Sequence, residues 1–229
     1  MWNTASLFLK VTSTTSADQI HAFADPILIA INGRSPDVAD DFSDPNSGWP
    51  NGTTSEGEKW GYIDGTYSII LTNLYRNSNG DPCLDISSAR QPQFSDFVLE
   101  WDAQFVTGID GNWQSIFRDM QLTQQGGGRI SFTANYNTDD TFFLGLSTNV
   151  GLNSIIPPFL KGTGINHVAI IAQGTNMAVY INGAPLVLAN DPNWQFGRIS
   201  LNFGVCNNAN QPLQARFDNL KAWNIAFLP

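Results

Sequence analysis

Phe97-Val98-Leu99-Glu100-Trp101-Asp102-Ala103-Gln104-Phe105-Val106 decides the fold class of this chain. Phe97, Leu99, Trp101, Ala103 and Phe105 recur at every second position, and Glu100, Asp102 and Gln104 fill the gaps between them. Successive side chains of an extended strand point to opposite faces, so this period of two puts the apolar set into a core and the polar set on an open face. A helix would scatter both sets around its circumference. The stretch is therefore read as a half-buried β-strand that presents a row of hydrogen-bonding groups.

The rest of the chain agrees with that reading. Between short apolar runs stand clusters of Gly, Asn, Asp and Pro: Asp44-Pro45-Asn46, Pro50-Asn51-Gly52, Asp64-Gly65, Asn79-Gly80-Asp81-Pro82, Asp110-Gly111-Asn112 and Asn182-Gly183. Such clusters mark tight turns. The runs they bound, 67–74, 83–87, 97–106, 113–122, 129–136, 141–146, 167–173, 177–181, 199–205 and 215–223, read as strands. Asn182-Gly183 between apolar runs is the strongest hairpin signal among them. Some ten strands with short connections predict an all-β, two-sheet antiparallel sandwich of the jelly-roll kind.

Ahead of the sandwich, residues 6–12 read as a short strand. Ile20, Phe23, Ala24, Ile27, Leu28 and Ile31 then recur at helical spacing and form one apolar stripe. Asp25-Pro26 is read as a fresh N-cap followed by proline at the first helical position, so a broken helix is expected, ended by Asn32-Gly33. The domain reading is residues 1–39 for this strand and helix and 40–229 for the sandwich, with Arg34-Ser35-Pro36-Asp37 as the linker.

With 229 residues the chain can bury a sizeable core in one large domain. Eleven basic residues against 20 acidic ones, a formal net charge of -9, argue against nucleic acid and anionic membrane surfaces as partners. No apolar stretch is long enough for a transmembrane helix. The first residues carry no basic and then apolar segment, and the expectation is an exported chain whose signal sequence has been removed. Cys83 and Cys206 lie far apart, each where a strand meets a loop rich in Asn and Gly; the spacing suits one long-range disulfide or two buried thiols equally.

Several segments together resemble the concanavalin A-like lectin/glucanase superfamily. They are Asp41-Phe42-Ser43-Asp44 leading to Trp49, Gly61-Tyr62-Ile63-Asp64-Gly65-Thr66-Tyr67, Phe94-Ser95-Asp96-Phe97-Val98-Leu99-Glu100, Val179-Tyr180-Ile181-Asn182-Gly183, and Arg216-Phe217-Asp218-Asn219-Leu220-Lys221-Ala222-Trp223. Within the superfamily the look is that of laminin G-like and 3-keto-disaccharide hydrolase type domains, over residues 40–225. The resemblance implies a jelly roll; it leaves function open among enzymes, lectins and adhesion modules. In its sugar-cleaving members a structural Ca²⁺ joins the first and last strands. Carried over, this implies Asp41 and Asp218 as ligands, against the plainer reading that Asp218 caps a turn or pairs with Arg216 or Lys221.

Family sixteen glycoside hydrolases place nucleophile, helper and acid on one sheet face as Glu-x-Asp-x-Glu or Glu-x-Asp-x-x-Glu. Here Glu100-Trp101-Asp102-Ala103-Gln104 ends in an amide, which cannot give a proton to a leaving oxygen. No catalytic residue is assigned. The binding reading has Glu100, Asp102, Gln104, Gln114 and Arg118 bonding sugar hydroxyls while Trp113 or Tyr136 stacks on the ring. Trp49, Trp60 and Trp194, next to loops, are further stacking candidates. The plainer reading pairs Glu100 and Asp102 with Arg118 and Arg129 on neighbouring strands. His21 and His167 stand isolated, without metal-ligand or triad spacing.

The expectation is thus a non-catalytic extracellular or cell-surface module that binds carbohydrate or a surface protein. The alternatives are an assembly subunit that self-associates through residues 6–31, and a glycoside hydrolase.

Overall fold

The computed structural model describes residues 16–54, 57–71, 83–107, 111–119, 128–135, 138–145, 163–192, 196–206 and 212–228. For 83–92, 107, 111–119, 128–135, 138–145, 202 and 204–206 it gives the backbone. The elements are α1 (Ala17–Ile31), β1 (Val38–Asp40), β2 (Gly52–Thr53), β3 (Lys59–Ile63), β4 (Thr66–Leu71), β5 (Cys83–Phe94), β6 (Phe97–Thr107), β7 (Gly111–Asp119), β8 (Gly128–Asn135), β9 (Thr138–Gly145), β10 (Asn166–Gln173), β11 (Asn176–Ile181), β12 (Ala184–Asn190), β13 (Gly197–Cys206) and β14 (Leu213–Asn224). All ten expected strands are present; the expected ends at 72–74, 120–122, 136 and 146 lie outside the described residues. β5 runs well past Ser87, and β1 starts the sandwich at Val38 instead of Asp40.

The strands form two antiparallel sheets. One has nine strands in the order β12-β11-β10-β6-β14-β4-β3-β2, with β1 also paired to β14; the other has five, β5-β13-β7-β8-β9. The opening strand, β6, lies at the centre of the larger sheet, between β10 and β14. Its alternation falls as expected: Phe97, Leu99, Trp101, Ala103 and Phe105 are buried in the main core. From the smaller sheet, Phe94, Ile199, Leu201 and Phe203 enter the same core, and the Phe105 and Phe203 rings meet at 6.1 Å. Interdigitation of the two inner faces, each apolar at alternate positions, holds the layers together. Asn182 and Gly183 both have positive φ (52° and 80°), as the two-residue hairpin between β11 and β12 requires.

Residues 17–31 form one continuous helix, which corrects the expected break. Ser16 caps it, with its hydroxyl accepting from Gln19 N and the Gln19 side chain reaching back to Ser16 N. Pro26 sits inside the helix on its exposed side, and Asp25 lies within it, 3.1 Å from His21 Nδ1. The lost backbone bond and ring clash of an interior proline cost about 3 kcal/mol. Packing of Ile20 and Ala24 before the proline, and Ile27 and Ile31 after it, on one sheet offsets that cost. A break would aim the two halves apart.

That sheet is the outer face of the nine-stranded layer of the same chain. Val98, Ile171, Ala178, Tyr180, Trp223 and Ile225 lie beneath the helix in a second core. The apolar stripe expected to contact a neighbouring subunit is used within the chain, so the assembly reading loses that contact; the strand at residues 6–12 lies outside the described residues. No helix among the described residues is long and apolar enough to cross a membrane.

Candidate functional site

β6, β10 and β14 carry matched rows across the outer face of the larger sheet, because residues opposite each other in an antiparallel register point the same way. Ser68, Arg216 and Gln104 form one row, His167, Asp102 and Asp218 the next, and Ala169, Glu100 and Lys221 the third. Continuing along the strands, Ile171, Val98 and Trp223 form a fourth row, under α1.

The two central rows are closely bonded. Gln104 is held at both ends: Oε1 accepts from Arg216 Nε at 2.7 Å and Nε2 donates to Thr163 O at 2.9 Å. Asp102 uses both oxygens, with Oδ1 2.8 Å from His167 Nδ1 and Oδ2 accepting from Asn219 Nδ2 at 2.9 Å. Burial pushes the Asp102 carboxyl up. The bonds from His167 and Asn219, with the charges of His167 and Lys221, outweigh it and hold the group below the usual carboxylate value. The hydrogen bond to Asp102 raises His167 above the ordinary histidine value; burial opposes this and the charges of Asp102 and Glu100 add to it. Both directions describe an ion pair. Sequence reasoning left His167 isolated because the pairing of β6 with β10, 65 residues later, has no local signal.

A bulge shapes the site's other side. Three steps along β14, from Asp218 to Lys221, oppose two along β6, from Asp102 to Glu100. The extra residue is accommodated by Asn219 in the left-handed region (φ 52°), a conformation Asn tolerates better than most residues. At the same point β14 changes partner, from β4 up to Phe217 to β1 from Leu220 onward. The resulting notch opens a recess of about 150 Å³ lined by Thr66, Asp102, Ala103, Gln104, Ile165, Arg216, Asp218 and Asn219. Burial raises the Asp218 carboxyl, against the bond from Asn219 N–H; the charges of Asp102 and Asp41 add to the rise and Arg216 opposes it. Ile165, about half exposed, gives the recess an apolar lip.

The sequence-predicted site residues do not form one site. Glu100, Asp102 and Gln104 share the face just described. Gln114, Arg118 and Trp113 belong to β7 in the other sheet, as Arg129 belongs to β8, so the expected pairing of Glu100 and Asp102 with Arg118 and Arg129 is overturned. Their partners are His167, Asn219 and, in register with Glu100, Lys221. Trp113 pairs with the core residue Phe203 and so falls on the core side, whereas Gln114 falls on the outer side, in a row with Ser87, Asn202 and Ser131. Trp49 is buried in the core rather than offered to a ligand. Trp60 packs partly on the core and over Gly52, where a Cβ would stand 2.3 Å from the indole ring. Tyr136 and Trp194 lie outside the described residues.

Asp41 and Asp218 stand on either side of the notch. Asp41 Oδ1 already accepts from the Ser43 amide and hydroxyl (3.0 and 2.6 Å), and Asp218 Oδ1 from Asn219 N (2.7 Å). Among the described residues no three of His, Cys, Asp or Glu are grouped to hold a metal ion. Ca²⁺ takes six to eight oxygens, so backbone carbonyls and water would have to supply most of its shell here.

No protein-family model and no curated protein matches the chain. Solved structures do. The carbohydrate binding module CBM66 from Bacillus subtilis superposes with a TM-score of 0.50 at 17% identity, covering 77% of this chain and 96% of that one. A Bacillus licheniformis β-glucanase gives 0.59 at 14% identity over 83% and 99%. A β-1,3-1,4-glucanase (lichenase) derived from a mouse hindgut metagenome gives 0.58 at 14% over 82% and 98%. At these identities the likeness speaks for the fold alone, and the two packed antiparallel sheets agree with it: the chain is a jelly-roll sandwich.

Proposed function

We propose that this chain is a carbohydrate-binding module without catalytic activity, and that the recess between β6 and β14 receives the sugar. The observation that carries the reading is the arrangement of Gln104, Arg216 and Asp218. Gln104 fixes the Arg216 guanidinium through Nε, and its terminal N–H groups, which no bond among the described residues engages, stand as oriented donors beside the Asp218 carboxylate, an oriented acceptor. Paired donors and acceptors next to an apolar lip match the alternating hydroxyls and C–H patches of a pyranose. The resemblance in fold to a carbohydrate binding module and to β-glucanases supports a neutral glucan as the first ligand to try. Isothermal titration with mixed-linkage β-glucan oligosaccharides tests the reading. Binding that falls about tenfold in Arg216→Ala supports it; absence of binding to glucans and to a broader glycan array overturns it.

One observation favours a glycoside hydrolase as the second reading. Asp102 and Asp218 are direct cross-strand partners whose carboxyls are pushed in opposite directions, as in an acid and its charged partner. Against it, both Asp102 oxygens are already engaged. Release of reducing sugar that is abolished by Asp218→Asn would establish it. An exported location, at the cell surface or beyond, belongs with the binding reading. So does a structural Ca²⁺ held by Asp41 and Asp218, whose addition is expected to raise the thermal midpoint of the chain and not that of Asp218→Asn.

A further inference from the structure

We infer that Cys83 and Cys206 form an intrachain disulfide that staples the edge of the five-stranded sheet. Among the described residues β5 is an edge strand whose one neighbour in the sheet is β13. The two strands run antiparallel from Phe94 opposite Gly197 to Cys83 opposite Cys206, with one shift near Gly197 and an unbroken register from Ile199 onward. The cysteines are thus the last pair of the ladder and share one face of the sheet.

Directly opposed residues of an antiparallel pair have Cα atoms about 4.5–5.5 Å apart. That range lies within the roughly 4.4–6.8 Å a disulfide spans. The sequence left a disulfide and two buried thiols as equal readings. A register that brings two residues about 120 positions apart into direct opposition favours the bond.

The staple has a definite task. The nine-stranded sheet is clamped by the main core and by α1, while in the five-stranded sheet the Cys83 end of β5 pairs, among the described residues, on one side. A cross-link there closes a loop of about 120 residues and fixes the outermost strand of the smaller sheet. It forms by thiol exchange: one thiolate attacks a disulfide-bearing oxidant such as oxidised glutathione, and the second displaces the resulting mixed disulfide. Two thiols and one oxidised glutathione give one protein disulfide and two reduced glutathiones. The bond requires an oxidising compartment and is independent of the carbohydrate reading.

The experiment treats the full chain, refolded with oxidised glutathione, with iodoacetamide in denaturant before and after reduction, and maps the peptides by mass spectrometry. The expected result is no alkylation before reduction, two alkylated cysteines after it, and a single peptide pair joining Cys83 to Cys206. Two alkylated cysteines without reduction, glutathione adducts alone, or disulfide-linked dimers would overturn the inference. Reductant is expected to lower the thermal midpoint of the chain by about 10 °C and to leave that of the Cys83→Ala/Cys206→Ala variant unchanged. An equal response of both proteins would also contradict it.

Discussion

One face of one sheet holds two regions of opposite character, both built by β6, β10 and β14. The row Ile171, Val98 and Trp223 is apolar and covered by α1; two rows along, His167, Asp102 and Asp218 are charged and open to a recess. The helix thus bounds the candidate site. Where the outward positions are apolar, a covering element is needed to bury them; where they turn polar, no apolar stripe could follow without stranding charges, and the face stays uncovered by the helix.

The largest test of that division is on the covered side. Ile20 is 1% exposed between helix and sheet, and Ile20→Ala is expected to cost about 3 kcal/mol in chemical denaturation with sugar affinity unchanged. Loss of affinity in a folded Ile20→Ala protein would mean the two regions are not separate. On the open side the expectation reverses. Arg216→Ala should weaken glycan binding about tenfold while shifting stability by less than about 1 kcal/mol.

A smaller effect separates charge from packing. A histidine raised above 6.5 contributes stability that is complete below about pH 6.5 and is lost as pH rises through its folded value. Asp102, held below 3.8, contributes above that value and loses its contribution as pH falls through the depressed one. The pair therefore stabilises most between about pH 4 and 6.5. His167 and Asp102 side chains are 44% and 21% exposed, so solvent screens much of the effect. The thermal midpoint of the native chain, measured against His167→Gln, should be higher at pH 5.5 than at pH 8.5 by about 1–2 °C. A difference of opposite sign would rule out the ion pair.

The smallest effect is again beneath the helix. Tyr180 is buried there and its hydroxyl has no hydrogen-bond partner among the described residues, so Tyr180→Phe should change stability by less than about 0.5 kcal/mol, or raise it. A loss above about 2 kcal/mol would show that the hydroxyl is bonded after all.

The strands, the sandwich and both faces of β6 were legible in the sequence because a period of two is local and Asn-Gly turns are local. The partners of β6 were not. Antiparallel pairing with β10 and β14 depends on closures of 60 residues and more, and so Arg118 and Arg129 stood in for His167, Asn219 and Lys221. Pro26 misled for the converse reason. Its local preference is to start a helix, and the packing of Ile27 and Ile31 beside Ile20 and Ala24 overrode it. The site itself was half legible: Glu100, Asp102 and Gln104 were identified, whereas the bulge at Asn219 that makes the recess follows from a register shift no periodicity displays.

The most direct measurement is a backbone and side-chain NMR titration of the chain with a mixed-linkage β-glucan oligosaccharide. The largest shifts are expected at Thr66, Gln104, Ile165 and Arg216, with α1 silent and the sugar recovered intact. Shifts centred on α1 or on Gln114 and its row in the five-stranded sheet, or cleavage of the sugar during the titration, would contradict it.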